Sequence, residues 1–247
     1  IMASGGDTAG NIPYRASYTA AELRVAVEAA HDLGRLTTAH CRAKDSMQHA
    51  LEAGLDCIEH AEFLVGPKDP GEHLGAGDKP PAGHFEFDPF LAERLLADGI
   101  FISFTQQTDG WDSIVRLRDQ EHLSPTERER LGSLERYFEE KARLFEKLLT
   151  AGYRSHLVVS SDAGPADTQF GKFHYNLELA VMGGMSPEQA IESVTRVAAR
   201  AVGLEAHAGT LEPGKRADIV VVQGNPVEHI GATAEVRAVF RDGVRVV

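Results

Sequence analysis

Hydrophobic and polar positions along the chain alternate between short apolar runs and longer stretches of helical period. Four apolar runs stand out, at 36–40 (LTTAH), 56–60 (DCIEH), 101–105 (FISFT) and 157–161 (LVVSS). Each is separated from the next by a segment whose apolar residues recur at helical spacing. Short apolar runs that alternate with helices predict a parallel sheet covered by helices.

Capping residues set the limits of the predicted helices. Thr19 is an N-cap with Glu22 at the capping-box position, and Gly34 ends that helix. A second helix over about 43–53 ends at Gly54. Further helices are predicted in PFLAERLLADG, over a charged segment at about 112–150, around 175–182, after the N-cap Ser186 with Pro187 at N1, and in TRVAARAVG.

The rhythm changes at about His207. The segments AGTLEPGKRADIVVVQGNP and AEVRAVFRDGVRVV are strand-like, with glycine-containing turns at PGK and RDG that predict two hairpins. A closed (β/α)₈ barrel needs eight strands and about 250 residues for the barrel alone. The four runs therefore predict either an open sheet or the second half of a longer chain, and the β tail favours the second interpretation.

Composition narrows the classes of function. The 247 residues carry a net charge of −12, which argues against nucleic acid or an anionic membrane as partner. No apolar run reaches the roughly 18 residues of a membrane span. The two cysteines, Cys41 and Cys57, make a disulfide framework improbable and favour a reducing, cytoplasmic location.

Three residues capable of metal chemistry stand at the ends of three apolar runs: His40, His60 and Asp162. The carboxyl ends of parallel strands form one edge, where ligands bind. Two imidazoles and a carboxylate at that edge suit a divalent ion such as Zn²⁺. One histidine at a strand end is more often structural, but three such placements favour a metal site.

Strand parity supports this interpretation. Residues two apart share a face, so Thr38 should point inward with His40, and Ser160 with the aspartate. Cys41 and Cys57 lie at odd offsets from the histidines, which predicts that both point outward as buried structural thiols.

Taken together, IMASGG, TAHC, ALEAGLDCIEHAEF, VVSSDAG, GGMSPEQAIESVT and AGTLEPGKRADIVVV resemble the metal-dependent amidohydrolase superfamily, in its imidazolonepropionase-like and Xaa-Pro dipeptidase-like branch. The resemblance implies that His40 and His60 bind metal after barrel strands 5 and 6. Asp162 would bind metal after strand 8 and act as general base toward a metal-activated hydroxide. One or two Zn²⁺ ions per chain and a homo-oligomer are implied as well.

The resemblance also implies parts that the sequence lacks. The His-x-His pair after strand 1 and the carboxylated lysine after strand 4 are absent. We therefore expect an α/β chain that forms the C-terminal half of a (β/α)₈ TIM-type barrel over residues 1–206, with insertions at 66–86 and 106–150. Residues 207–247 would add strands of a small β-sandwich. The N-terminal half of the same barrel would be needed for a complete metal site.

Four further positions have weaker assignments. Arg42 is either a ligand for a substrate carboxylate or carbonyl, or an exposed loop arginine. His174 is either a substrate contact or a surface histidine, with Phe170 and Phe173 as a candidate apolar pocket wall.

The long segment after 101–105 has two parts to interpret. Trp111 with residues 112–150 is expected to form a lid, since long insertions after barrel strands are often functional. The charges of that segment are expected to form a solvated helix face. Phe85, Phe87, Phe90 and Trp111 hint at an apolar or aromatic small-molecule substrate.

The leading functional hypothesis is hydrolysis of an amide-type C–N bond in a peptide, N-acyl compound, urea or carbamate. A deaminase on the same barrel is the first alternative. Relatives of that kind often carry a glutamate three residues after the strand-5 histidine, where this chain has Ala43, which counts against deamination. The second alternative is a scaffold that kept the fold without catalysis.

Overall fold

The computed structural model describes residues 1–6, 11–66, 83–165 and 167–247, and within them the chain is an α/β protein built on a parallel sheet. The main sheet has the order β1-β2-β4-β5, with a short β3 antiparallel to β2, and a second sheet has the order β6-β7-β8. The strands are β1 Thr38–Ala43, β2 Cys57–Val65, β3 His84–Phe85, β4 Phe101–Thr105, β5 Leu157–Ser160, β6 Ile219–Val222, β7 Val236–Arg241 and β8 Val244–Arg245.

Helices connect the parallel strands as the sequence predicts. They are α1 Ala20–His31, α2 Lys44–Ala53, α3 Pro89–Ala97, α4 Trp111–Arg118, α5 Pro125–Thr150, α6 His174–Met182, α7 Pro187–Glu192 and α8 Ala198–Ala201, with 3₁₀ turns at Tyr153–Ser155 and Ile230–Ala234 and a π-helical turn at Ser193–Val197. The capping boxes at Thr19 and Ser186 are present, and Gly54 ends α2 in the left-handed conformation with φ 78°. None of the described helices is long and apolar enough to cross a membrane.

One face of the main sheet is packed against helices, and the other face is polar. The packed face carries Ala39, Cys41, Ile58, Ile102 and Phe104, all with 0% exposure, in one core with residues from the covering helices. The opposite face, which we call the inner face, includes polar residues of every parallel strand: Thr38, His40, Glu59, Ser103, Thr105 and Ser160.

The inner face corrects one prediction about the cysteines. Cys57 is in register with Thr38 on β1 and with Phe101 on β4, so it lies on the inner face, and the prediction that it points outward is wrong. The error came from counting alternation back from His60, whose backbone is not extended (φ 70°). Cys41 does point outward, and both thiols are free and buried as predicted.

The amino-terminal residues run beside β1. Met2 forms a parallel bridge with His40, and the amide of Ala3 donates to the His40 carbonyl at 3.1 Å. The segment IMASGG therefore lines the strand that carries the first candidate metal ligand.

The segment after β4 forms two helices with different roles. The carboxyl-terminal part of α5 contributes Leu144, Phe145, Leu148 and Leu149 to the main core, as an ordinary covering helix would. The amino-terminal part packs with α4 in a second cluster that includes Trp111, Ile114, Leu134 and Phe138. Most of the 66–86 insertion lies outside the described residues.

The tail contains strands as predicted, but with a different connection. β7 and β8 form a hairpin at Asp242 and Gly243, both with positive φ, which matches the predicted RDG turn. The predicted PGK hairpin is wrong, because the described residues from 207 to 218 contain no strand for β6 to pair with across that turn. The half-barrel, the β-sandwich and the boundary at 206 stay predictions.

Candidate active site

His40 and His60 meet at the carboxyl-terminal edge of the main sheet, which we call the mouth. Their ring centroids are 4.3 Å apart with an interplanar angle of 71°. His40 lies in β1 with Nε2 at 3.2 Å from the Gly5 carbonyl oxygen, and His60 lies in β2 with Nδ1 at 2.8 Å from Thr105 Oγ1. The structure thus brings together two histidines that lie 20 positions apart in the sequence.

The backbone of β2 departs from strand geometry at this point. His60, Ala61 and Phe63 have φ values of 70°, 52° and 50°. Opposite them, the register with β1 jumps from the pair Cys41 and His60 to the pair Ala43 and Leu64. Three residues of β2 therefore face one residue of β1, and this bulge turns the His60 ring toward Thr105 and His40. Left-handed conformations of non-glycine residues cluster at functional sites.

Burial determines the charge state of the two imidazoles. Desolvation lowers the pKa of His40, assisted by the Arg42 guanidinium and opposed by the Gly5 carbonyl, Glu62 and Asp162. Desolvation lowers the pKa of His60 well below its ordinary value, and His40, Arg42 and Lys141 lower it further. Both rings are thus held neutral near pH 7, the form in which imidazole binds metal ions.

Asp162 follows β5 at the same edge of the sheet. Its φ is 49°, a left-handed conformation like that of His60. Partial burial raises the pKa of its carboxyl group, and the carboxylate of Asp109 raises it further. His40, Arg42 and Lys141 lower it.

The candidate side chains at the mouth are of the types that bind a divalent ion. The described residues do not, however, provide a complete set of metal ligands. Imidazole and carboxylate are the ligands that zinc and related ions take. With Nδ1 of His60 at Thr105, Nε2 is the ring nitrogen left for a ligand. In the described part of the chain, however, no three histidine, cysteine or acidic residues are grouped closely enough to enclose an ion. The predicted ligand roles of His40, His60 and Asp162 stay predictions.

Arg42 lies inside the protein, in a cluster that sequence reasoning missed. Its guanidinium donates from Nε to Glu62 Oε2 at 2.6 Å and from Nη2 to Asp109 Oδ2 at 3.0 Å. Lys141 of α5 lies 3.7 Å from Glu62 and 3.9 Å from Asp109. The four charged side chains are each 1–4% exposed.

Tyr137 joins this group, which we call the ionic cluster. Its hydroxyl donates to Asp109 Oδ2 at 2.7 Å and has Glu62 Oε1 at 3.3 Å. Burial raises the pKa of the tyrosine well above its usual value, so it remains a hydroxyl donor. The cluster connects β1, the bulge of β2, the loop after β4 and α5. Substrate binding by Arg42 stays a prediction, and the structure adds that the guanidinium is engaged by carboxylates.

A signal for the cluster exists in the sequence. Tyr137 and Lys141 are four residues apart, so they share one face of a helix. That face also contains Leu134, Leu144 and Phe145, which are buried. The expectation that the charges of this segment form a solvated face is wrong for Lys141, whereas Glu139 and Arg143 are exposed as expected.

The loop after Asp162 places the other predicted substrate contacts on or near the surface. Phe170 and Phe173 are 79% and 41% exposed. His174 begins α6, half-buried, with its ring 4.3 Å from that of Tyr175, and desolvation lowers its pKa. No described contact joins His174 to the histidine pair, and its assignment as a substrate contact stays a prediction.

The aromatic residues proposed for substrate binding mostly serve the core. Trp111 packs edge-on against Phe138 at 5.2 Å, which attaches α4 to α5. Phe87 packs on Phe63 of the bulge at 5.1 Å, and Phe85 packs on Tyr137 at 5.6 Å. Phe90 is 77% exposed. The α4–α5 pair therefore braces the ionic cluster, and its action as a lid stays a prediction.

Comparison with known proteins decides the family. The profile of the Amidohydrolase family matches residues 2–246. The chain belongs to the Amidohydrolase family. Members of this amidohydrolase family are generally metal-dependent, which agrees with the imidazole pair at the mouth.

Individual relatives add detail. The chain is 25% identical over 242 residues to ochratoxinase of Aspergillus niger, which covers 97% of this chain and 43% of that protein. The crystal structure of that enzyme matches 99% of this chain and 49% of its own with a TM-score of 0.70. Imidazolonepropionase of Salmonella paratyphi A is 42% identical over 78 residues, 31% of this chain and 19% of that protein.

A solved Xaa-Pro dipeptidase matches the fold. Its structure covers 99% of this chain and 53% of its own at 23% identity, with a TM-score of 0.75. Nearly all of this chain is matched by ochratoxinase and by the Xaa-Pro dipeptidase. The chain nevertheless spans only about half the length of either protein.

Proposed function

We propose that the chain supplies the C-terminal half of a metal-dependent amidohydrolase that cleaves an amide-type C–N bond of a small molecule. The observation that supports this most is the contact between His40 and His60 at the ends of adjacent parallel strands, 4.3 Å between ring centroids. Membership of the family, and relatives whose names describe hydrolases, support the reaction type.

His40, His60 and Asp162 would hold one or two Zn²⁺ ions, together with a His-x-His pair and a carboxylated lysine from an N-terminal half of the barrel. A bound ion would supply Lewis-acid chemistry toward the scissile carbonyl and toward the attacking water. Asp162 accepts a proton from that water and passes it to the leaving amine. Thr105 holds the His60 ring through Nδ1, which keeps Nε2 available as a ligand atom.

The substrate proposals follow from the relatives, since Phe85, Phe87 and Trp111 pack on other rings of the protein. We propose a small amide with an apolar or aromatic part, tested first among Xaa-Pro dipeptides, N-acyl amino acids and aryl ureas. Arg42 or His174 would contact its polar end. We further propose a cytoplasmic homo-oligomer. No observation favours deamination, since Ala43 is fully buried at the end of β1 and brings no proton shuttle to the mouth.

The decisive experiment combines metal analysis with one substitution. The full-length protein should contain about one or two divalent ions per chain. Asp162→Asn should keep the circular dichroism spectrum and lose at least about 10²-fold in amide hydrolysis. Asp98→Asn is the matched control, because Asp98 caps α3 at the opposite end of the sheet. A metal-free protein, or full activity in Asp162→Asn, would favour the scaffold alternative.

A further inference from the structure

The bulge that turns His60 toward the mouth must be held in place by other residues. Three of its residues, His60, Ala61 and Phe63, have positive φ. Such conformations are unfavourable for non-glycine residues and persist only where the surroundings determine them. The methyl group of Ala61 can make no polar contact that would hold the bulge, and the ring of Phe63 packs on that of Phe87. The remaining residue of the bulge is Glu62.

Glu62 is anchored at both oxygens by charged or polar groups. Oε2 accepts from Arg42 Nε at 2.6 Å, while Oε1 lies 3.3 Å from the Tyr137 hydroxyl and 3.7 Å from Lys141 Nζ. The Glu62 side chain is 1% exposed. A carboxylate this deeply buried is stable only with its partners in place, so its position follows theirs.

Two of those partners come from a single helix, α5, for which the described residues show no hydrogen bond to either histidine. Tyr137 and Lys141 lie one turn apart on α5. Lys141 Nζ donates to the Thr108 carbonyl at 3.2 Å and lies 5.6–5.9 Å from the ring centroids of Tyr137, Phe138 and Phe104. These contacts hold the ammonium group of Lys141 in position independently of Glu62.

We propose that Tyr137 and Lys141 are positioning residues that set the orientation of the His60 imidazole by holding Glu62, and with it the bulge of β2. For the proposed function, on which this role rests, the consequence is that α5 determines the geometry of a proposed metal ligand through Glu62. Outer residues that orient ligands typically change metal affinity 10- to 100-fold when they are substituted.

The test measures the His60 ring directly, without metal and without substrate. In protein labelled with ¹⁵N-histidine, long-range ¹H–¹⁵N correlation spectra report the ring nitrogens. Tyr137→Phe removes one oxygen and keeps the ring, and Lys141→Met removes the charge and keeps an apolar stem. Both should shift the His60 nitrogens and leave those of His156 unchanged, because His156 packs on Phe101 at the other end of the sheet.

Controls separate positioning from general loss of stability. Arg143→Met also removes a positive charge from α5, at an exposed residue that pairs with Glu139 at 3.7 Å, and should leave the His60 signals unchanged. Lys141→Arg retains the positive charge and should recover most of the original His60 signals. Zn²⁺ titration of the full-length protein should show affinity about 10-fold weaker or more in Tyr137→Phe and Lys141→Met, and near the original in Lys141→Arg.

Unchanged His60 signals in folded Tyr137→Phe protein would overturn the proposal. If Lys141→Met fails to fold, Tyr137→Phe decides alone. A protein that hydrolyses no amide would contradict the proposed function. Its spectra would still show whether the His60 ring moves, so the two proposals can fail separately.

Discussion

Replacing Glu62 by glutamine tests whether the positive and negative charges of the ionic cluster compensate one another as the structure shows. In the native protein, Arg42 and Lys141 face Glu62 and Asp109, two cations with two anions. Glu62→Gln keeps the shape and an acceptor oxygen but leaves two buried cations with one anion. Breaking a buried ion pair costs about 3–5 kcal/mol, and glutamine can still accept from Arg42, so we expect about 3 kcal/mol.

A loss of this size is easy to measure. For a chain of this length it corresponds to a fall of about 6–12 °C in Tm. Urea unfolding should be followed by circular dichroism and by the fluorescence of Trp111, the one tryptophan of these 247 residues, which lies in the cluster between α4 and α5. Coincident transitions by both signals would justify a two-state treatment.

A second substitution makes the test specific to charge. Lys141→Met in the Glu62→Gln background leaves Arg42 with Asp109, one cation with one anion. The double variant should therefore be less destabilised than the two single effects added together, with a coupling energy of about 0.5–3 kcal/mol. Glu139→Gln is the control, because Glu139 pairs with Arg143 at 3.7 Å on the surface, and should cost at most about 1 kcal/mol.

Two results would refute this reasoning. A loss below about 1 kcal/mol in Glu62→Gln would mean that the buried carboxylate is not held by its partners as the distances indicate. Strict additivity in the double variant would mean that Glu62 and Lys141 do not interact, whatever their separation.

Further predictions concern the thiols and one helix cap. Burial raises the pKa of Cys41 and of Cys57 to about 12, so neither should react with a thiol reagent at pH 8 until urea unfolds the protein, and fast labelling of the native protein would contradict the structure. Because these folded values lie above the ordinary 9.0, the unfolded chain loses its thiol protons first, and stability should fall as the pH rises above about 9. Ser124→Ala removes the capping box of α5 and should cost about 1 kcal/mol in urea unfolding, whereas Ser133→Ala within the same helix should not.

The sequence predicts much of the fold because its local signals agree with the tertiary structure. Alternation of apolar runs with helices, and caps such as Thr19 and Ser186, give the parallel sheet and its covering helices. The edge of the sheet that carries His40 and His60 follows from the same alternation.

The parts that the sequence did not predict depend on backbone conformation or on distant partners. Strand parity assumes an extended chain, and the positive φ of His60 breaks that assumption, which is why Cys57 was assigned to the wrong face. Lys141 lies in a charged stretch, and although it shares a helix face with Leu134, Leu144 and Phe145, that pattern does not show which groups the lysine meets. Its burial depends on Glu62, 79 positions earlier, and no local signal connects the two.

The two halves of α5 pack in different clusters. Toward the carboxyl terminus, Phe145 packs on Phe104 at 5.3 Å within the main core, so this half is fixed to the sheet. Toward the amino terminus, Leu134 and Phe138 belong to the smaller cluster with α4. Lys141 lies at the junction of the two. Because Tyr137 of the ionic cluster also packs in the group that joins α4 to α5, we expect a change in the packing of α4 to affect the ionic cluster. The loop after β4 and α5 supply Asp109, Tyr137 and Lys141, the groups that hold Glu62 and Arg42 beside the candidate metal site.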